Sequence, residues 1–341
     1  MEPIANSFFM ELYTPVILPS DLPQLTHRDQ TLLMGSCFAT HIGTRLKEAK
    51  FTCDVNPYGV LYNPLSIVTA LEEIDAGKEY AETDLYQHRF LWHSPMHHSD
   101  FSASTASETV DHINRRLRQA RRLWEMLDVL MLTWGSAYVY RNRSDGRIVG
   151  NCHKLPESTF LRGRLSVSEI VDAYRPLLTR LLTRRPSLKV TLTVSPIRHL
   201  RDGLHANQLS KATLLLAADE LQKQFAGHVC YFPAYELLMD ELRDYRFYAD
   251  DLTHPSAMAV EYVWECWQKA CFSPETRLLA NECLHINRGL EHKPFRPQSE
   301  EYKRFLKQIV LKIDQLNEKY PYLDFEKERE LCRTRLNAFV K

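Results

Sequence analysis

The stretch TLLMGSCFATHIGTRLKEAK, residues 31–50, decides the fold class. Thr31–Met34 is a short apolar run of buried-strand length, and Gly35-Ser36 closes it with two residue types suited to a tight turn. Apolar residues then recur at 38, 42 and 46, the spacing of one helix face. Strand, turn and helix in twenty residues make a βα unit. Similar apolar runs begin at Asp128 (DVLMLTWGSAYVY), Leu188 (LKVTLTVSP) and His228 (HVCYFPAYELL), each ending in a small or turn-forming residue. Helical patterns fall between them, around 64–75, 107–126, 168–184, 208–226 and 255–271. This alternation predicts an α/β fold with a mostly parallel sheet covered on both faces. Two long segments, 76–105 and 141–165, interrupt it and are rich in His, Ser and aromatic residues. They are expected to be substrate-side loops, because ligands of open α/β sheets sit beyond the carboxyl ends of the strands.

Beyond Ser273 the composition turns polar and Pro-containing (EHKPFRPQSEEYK) and then reads as charged helix. The chain therefore divides into residues 1–273 and a C-terminal helical extension, 274–341. Phe305, Ile309, Leu311, Ile313, Leu316 and Tyr320 are spaced for burial against the α/β part or a second subunit, so a homodimer contact is one expected role of the tail.

The 341 residues carry 43 Lys+Arg and 43 Asp+Glu, a net charge of +0 that disfavours nucleic acid or an anionic membrane as partner. Apolar residues at 44% and charged residues at 25% are ordinary for a globular protein, which removes disordered and fibrous classes. No apolar stretch is long enough to span a bilayer. The first 20 residues carry Glu2 and Glu11, no Lys or Arg and no cleavage-site pattern, so no secretory signal is legible. A cytoplasmic location is expected unless a signal has been removed. The eight Cys residues include no CxxC pair and signal neither a zinc site nor a disulfide framework.

Two distant segments carry chemistry. Ser36 follows Gly35 at the end of the first predicted strand, where a hydroxyl projects from the turn and the helix N-terminus favours negative charge. In Asp250-Asp251-Leu252-Thr253-His254-Pro255-Ser256, Pro255 suits the first turn of the next helix, which puts His254 near its N-cap. Three residues apart in a turn, Asp251 can fix the His254 tautomer while the other ring nitrogen faces a Ser. Asp250 competes for that role, with salt bridges to Arg243 or Arg246 as its alternative.

On these residues the chain resembles the GSCFA family, itself similar to the SGNH (GDSL-like) hydrolases. Gly35-Ser36-Cys37-Phe38-Ala39 is the signature, and four further ordered blocks match: Asn56–Pro64, Asn151–Lys154, Thr193–His199 and Arg243–Asp250. The resemblance covers roughly residues 30–272. It implies a three-layer α/β/α flavodoxin-like fold and a serine esterase removing a small acyl group, from an O-acetylated carbohydrate by fold-level analogy. Ser36 then matches the nucleophile, His254 the general base and Asp251 its orienting acid. The N–H groups of Ser36 and Gly135 match oxyanion donors. The Asn that usually supplies a third donor is missing from Ser195-Pro196-Ile197-Arg198-His199, so Ser195 or Asn56 is expected to substitute, or the hole has fewer donors. His153 and Arg198 are candidate substrate contacts. No cofactor and no metal is called for. An O-acyltransferase, or a lapsed hydrolase fold used for binding, is the alternative function.

Simpler roles compete. Ser36 and Asp251 are good helix and turn caps in their own right, and Cys37 is a better intrinsic nucleophile beside Ser36. His93, His97, His98 and His153 lack fixed metal-ligand spacing. Arg115, Arg118 and Arg122 share one helical face that reads as solvated. Tyr58, Tyr62, Trp92 and Trp134 read as a sugar platform or as core.

Overall fold

The computed structural model describes residues 13–291 and 294–339. The first twelve of the 20 residues in which no signal is legible lie outside this range, as do residues 292 and 293 of the Pro-containing stretch. Ten strands and ten helices are named in chain order. They are β1 (Thr31–Gly35), α1 (Cys37–Glu48), β2 (Cys53–Val55), α2 (Pro64–Ala76), β3 (Tyr86–His88), β4 (Leu91–His93) and α3 (Ala106–Glu125). There follow β5 (Val129–Trp134), β6 (Tyr138–Asn142), β7 (Ile148–Val149), β8 (Phe160–Arg164), α4 (Val167–Arg184), β9 (Lys189–Val194), α5 (Leu204–Gln224) and β10 (Val229–Tyr231). The short α6 (Ala234–Glu236), α7 (Ala257–Cys271), α8 (Pro274–Glu291), α9 (Glu300–Lys319) and α10 (Glu326–Asn337) complete the chain.

Five strands form the central sheet in the order β10-β9-β5-β1-β2, every pairing parallel. Numbered by their own succession, the order is 2-1-3-4-5, the flavodoxin-like arrangement, whose direction of winding reverses between β1 and β5. Side chains alternate across the sheet. Leu32, Met34, Leu130, Leu132, Val190 and Leu192 bury into the layer of α2, α3, α4 and α5, whereas Leu33, Val129 and Met131 bury into the layer of α1 and α7. Both faces are covered, which is why these strands read as continuous apolar runs.

The run from Asp128 to Tyr140, expected as one unit, is two. β5 ends at Trp134, and β6 turns away into a separate antiparallel sheet, β7-β6-β8. The segment 141–165, expected as loop, supplies β7, β8 and most of that sheet, and 76–105 contains the β3–β4 hairpin. β2 was not foreseen. It is a three-residue edge strand whose buried Asp54 pairs with Arg116 at 2.5 Å.

In the tail, α8, α9 and α10 enclose an apolar cluster that includes Cys283, Ile286, Leu306, Ile309, Ile313 and Phe325. The opposite side of α8 buries Ala280 and Leu284 in the layer of α1 and α7. Of the tail residues expected to bury, Ile309, Ile313 and Leu316 do so and Phe305 and Tyr320 pack partly. Leu311 is 58% exposed, because it lies two residues from Ile309 and Ile313 and so faces away. Among the described residues no helix is long and apolar enough to cross a membrane.

Candidate active site

The register of the sheet brings three strand ends to one edge. Gly35 lies opposite Thr133, and Trp134 opposite Val194, so Ser36, Gly135 and Ser195 emerge at the carboxyl ends of β1, β5 and β9. This is the switch point, where open α/β sheets form a crevice. Gly35 has φ +138°, and a Cβ on it would stand 2.0 Å from the Thr133 carbonyl oxygen. Its N–H donates to Asn56 Oδ1 at 2.8 Å and its carbonyl accepts from Leu61 N–H at 3.1 Å, so the turn is held from both sides. Ser36 caps α1, its Oγ accepting from Phe38 N–H at 3.3 Å, and is 1% exposed.

The Asp251–His254 turn is closed by a Tyr248–Pro255 bridge, an Ala249 N–H to His254 carbonyl bond of 2.8 Å, and Leu252 at φ +57°. Asp251 Oδ1 accepts from the N–H groups of Thr253 and His254, both at 2.9 Å, and Oδ2 meets His254 Nδ1 at 2.5 Å. The His254 and Thr253 N–H groups, then the imidazole, hold the Asp251 carboxyl well below the usual carboxylate range. Asp250 takes no part; Arg243 and Arg246 pair with Asp240 and Asp244 instead. Helix α7 starts two residues later than expected. Ser256, rather than His254, is its N-cap, accepting from Ala259 N–H, with Pro255 just outside. His254 is therefore free of helix geometry, and its Nε2 is left available. The loop is tied to the strand ends by Arg198 N–H donating to the Thr253 carbonyl at 3.4 Å. His41 on α1 and His199 after β9 both have lowered pKa values, chiefly through burial, and His254 adds to the shift in each. His254 thus stands between α1 and the β9 loop.

A cleft of about 750 Å³ opens at this edge, lined by Tyr62, Ser136, Arg198, His199, Asp251 and His254 but not by Ser36, with Tyr138, Tyr140 and Arg162 on the wall built by the small sheet and Arg201 reaching Tyr140 from the loop after β9. The tyrosine faces on that wall are covered by guanidinium groups, Arg162 lying 4.1 Å from the Tyr138 ring centre. Tyr62 bridges the two strand ends. Its carbonyl accepts from Gly135 and Ser136 N–H at 2.7 and 3.0 Å, and burial together with neighbouring Cys37 pushes its phenol up to about 12.

The remaining expected residues fall as follows. The Gly135 N–H is engaged by Tyr62, and the Ser36 N–H by the Thr133 carbonyl at 3.1 Å, so neither points into the cleft as a free oxyanion donor. Ser195 is fully buried, with Oγ accepting from Ile197 N–H. Asn56 uses Oδ1 on Gly35 and Nδ2 on Thr40 Oγ1 at 3.0 Å, which makes it a positioning residue for the Ser36 turn. His153 is an interior strut rather than a substrate contact: its ring meets Ser99 Oγ and the Ser94 carbonyl, and burial lowers its pKa to about 4. Arg198 reaches the cleft while holding Gln208 Oε1 at 2.5 Å and Tyr235 Oη at 3.2 Å. Tyr58 and Trp134 are core. Among the described residues no three His, Cys, Asp or Glu side chains converge on a metal position.

Two residues that sequence reasoning passed over belong here. Lys211 on α5 is buried, and its Nζ donates to the Gly135 and Ser195 carbonyls, both at 2.6 Å. Burial, then the Arg198 charge, lowers its pKa to about 7. A single Lys in the apolar run LSKATLLLAA was the available signal. His199 lines the cleft beside Gly135.

No curated protein and no solved structure matches the chain. A sequence model of the GSCFA family matches residues 30–267, and that of the GSCFA domain protein, C-terminal domain, matches residues 284–338. With the first match spanning more than two-thirds of its residues, the chain belongs to the GSCFA family.

Proposed function

We propose that this protein is a serine-type esterase that removes a small acyl group through an acyl-enzyme. The observation that carries the reading is the Asp251–His254 pair, joined at 2.5 Å on the wall of a cleft at the sheet edge where β1 also ends, in front of the buried Ser36. The chain order Ser, Asp, His, with the last two three residues apart, resembles the SGNH hydrolases. Ser36 Oγ bonds to the ester carbonyl carbon, the carbonyl π pair moves onto oxygen, and the Ser36 proton passes to His254 Nε2. Collapse breaks the bond to the leaving alkoxide, which takes that proton; water then repeats the sequence and regenerates Ser36. Asp251 holds His254 in the tautomer that leaves Nε2 as the base. A cleft of about 750 Å³ admits a sugar-sized ester.

A second reading, a lapsed fold used for binding, is favoured by the engagement of the Ser36 and Gly135 N–H groups with carbonyls. A fluorophosphonate probe separates the two, since only an activated Ser reacts readily. The expected result is a single label at Ser36, abolished in Ser36→Ala. Turnover of a chromogenic short-chain ester should fall by on the order of 10⁶, as removal of a triad nucleophile does elsewhere. Retained activity in Ser36→Ala with loss in Cys37→Ala moves the nucleophile to Cys37, and an unlabelled wild type favours the binding reading.

A further inference from the structure

The backbone donors at the strand ends are spent. Ser36 N–H goes to Thr133, Gly135 and Ser136 N–H go to Tyr62, and Ser195 N–H goes to the Trp134 carbonyl at 2.8 Å. An ester oxygen turning anionic in this cleft needs a donor from elsewhere. His199 has one. Its Nε2 is buried and has no hydrogen-bond partner among the described residues, and the Gly135 backbone lies near enough to the ring to raise its pKa in part. That nitrogen lies 3.4 Å from where a Cβ on Gly135 would stand, and the Tyr62 ring meets the imidazole edge-on at 5.8 Å. Asn207 Oδ1 accepts from His199 N–H at 3.0 Å, which fixes the backbone that carries the ring.

A buried histidine is more often a satisfied structural residue, and this chain contains such cases. His27 Nε2 meets the Ala49 carbonyl at 3.0 Å, and both His153 nitrogens are bonded. His97 also has an unpartnered Nε2, but its ring is packed among Tyr58, Tyr80 and Phe101 and lines no part of the cleft. His199 alone among these combines an unpartnered nitrogen with the cleft wall that also carries His254. The two imidazoles sit in different environments. His254 is half exposed and bound to a carboxylate. Burial first, then the Lys211 charge, lowers the His199 pKa to about 4, against the opposing pull of Asp202. His199 is therefore uncharged near neutral pH, and an uncharged imidazole is a donor that polarises a carbonyl without giving up its proton.

Resting on the esterase reading, we propose that His199 is a catalytic residue whose Nε2–H donates to the carbonyl oxygen of the ester as Ser36 attacks, in place of the Asn that the Ser195–His199 segment lacks. No bond to His199 forms or breaks; the proton in flight moves only between Ser36, His254 and the leaving group. A Cβ at Gly135 would stand 3.2 Å from the Tyr62 ring and 3.4 Å from the His199 Nε2, and so would crowd the approach to that nitrogen.

The test measures kcat and KM on p-nitrophenyl acetate for the full-length wild type and for His199→Ala, His199→Phe, His199→Asn and Ser36→Ala, with thermal melts alongside. The Phe variant retains ring packing against Tyr62 and loses the donor; the Asn variant restores one. Expected are a 10²–10³-fold loss of kcat in the Ala and Phe variants, as for a missing oxyanion donor elsewhere, with KM within a few-fold, and at least about tenfold recovery in the Asn variant. Wild-type kcat in a folded Ala or Phe variant overturns the proposal, as does a change confined to KM. If Ser36→Ala is inactive while the His199 variants are unaffected, only the His199 assignment falls. If Ser36→Ala is as active as wild type, the esterase reading falls first.

Discussion

Asp250 and Asp251 are neighbours of identical chemistry, yet only one of them can orient His254. Asp251 Oδ1 takes the N–H groups of Thr253 and His254, which locks the carboxylate plane and aims Oδ2 at Nδ1. Asp250 has no such anchorage. Removing the charge at Asp251 also removes the acceptor that holds the tautomer, since an Asn there can present an N–H to Nδ1. In a serine protease the equivalent change costs about 10⁴ in kcat. We expect a loss of that order for Asp251→Asn, a loss approaching that of Ser36→Ala for His254→Ala, and a change of no more than a few-fold for Asp250→Asn. Steady-state turnover of a chromogenic ester measures all three. A larger loss at Asp250 than at Asp251 would reverse the assignment.

At the scale of elements, the β1–α1 turn depends on a residue from the loop after β2. Asn56 adopts φ +46°, a region Asn tolerates better than most side chains, and from there its Oδ1 satisfies Gly35 N–H. Asn56→Ala leaves that N–H unpaired, a loss of about 1–3 kcal/mol, whereas Asn56→Asp keeps the acceptor. Thermal melts should therefore show the Ala variant well below wild type and the Asp variant close to it; equal melting of wild type and Asn56→Ala would show that the bond does not hold the turn. The β1–α1 unit was legible because the apolar period changes from a continuous run to a helical spacing within residues 31–50. β2 was not, being three residues long with a charged centre whose partner, Arg116, is 62 positions away. The β6–β8 sheet was hidden because β6 continues the β5 run across Gly135-Ser136, while β8 is largely solvent-facing and lacks an apolar pattern. The position of Ser36 between strand and helix and the pairing of Asp251 with His254 were readable from local spacing. Lys211 and His199 were not, because what matters at each is proximity to Gly135, which only the packing of α5 and the β9 loop against the sheet creates.

In the whole molecule, the candidate site and the tail lie at opposite ends of α1. Ser36 caps the N-terminus of this twelve-residue helix, about 18 Å from its other end at 1.5 Å per residue. The tail attaches at that far end: Asn287 Nδ2 donates to the Glu48 carbonyl, Lys50 pairs with Glu328 at 2.7 Å, and Glu261 on α7 is shared by Arg45 and Arg288. Ala280 and Leu284 of α8 also complete the apolar layer beneath the sheet. Two consequences separate cleanly. Truncation after Ser273 strips the cover from that layer, so the shortened protein should melt lower and elute as larger species than the full chain. The geometry around Ser36, His254 and His199 uses none of the described tail residues, so the soluble fraction should react with a fluorophosphonate at a rate within a few-fold of wild type. A milder variant asks the same question without removing residues. Leu284→Asp places an unpaired charge in the shared layer, and it should lower the melting temperature while leaving labelling intact. A truncated protein that stays monodisperse and fully stable yet no longer labels would mean that the tail shapes the cleft from the far end of α1, contrary to this separation.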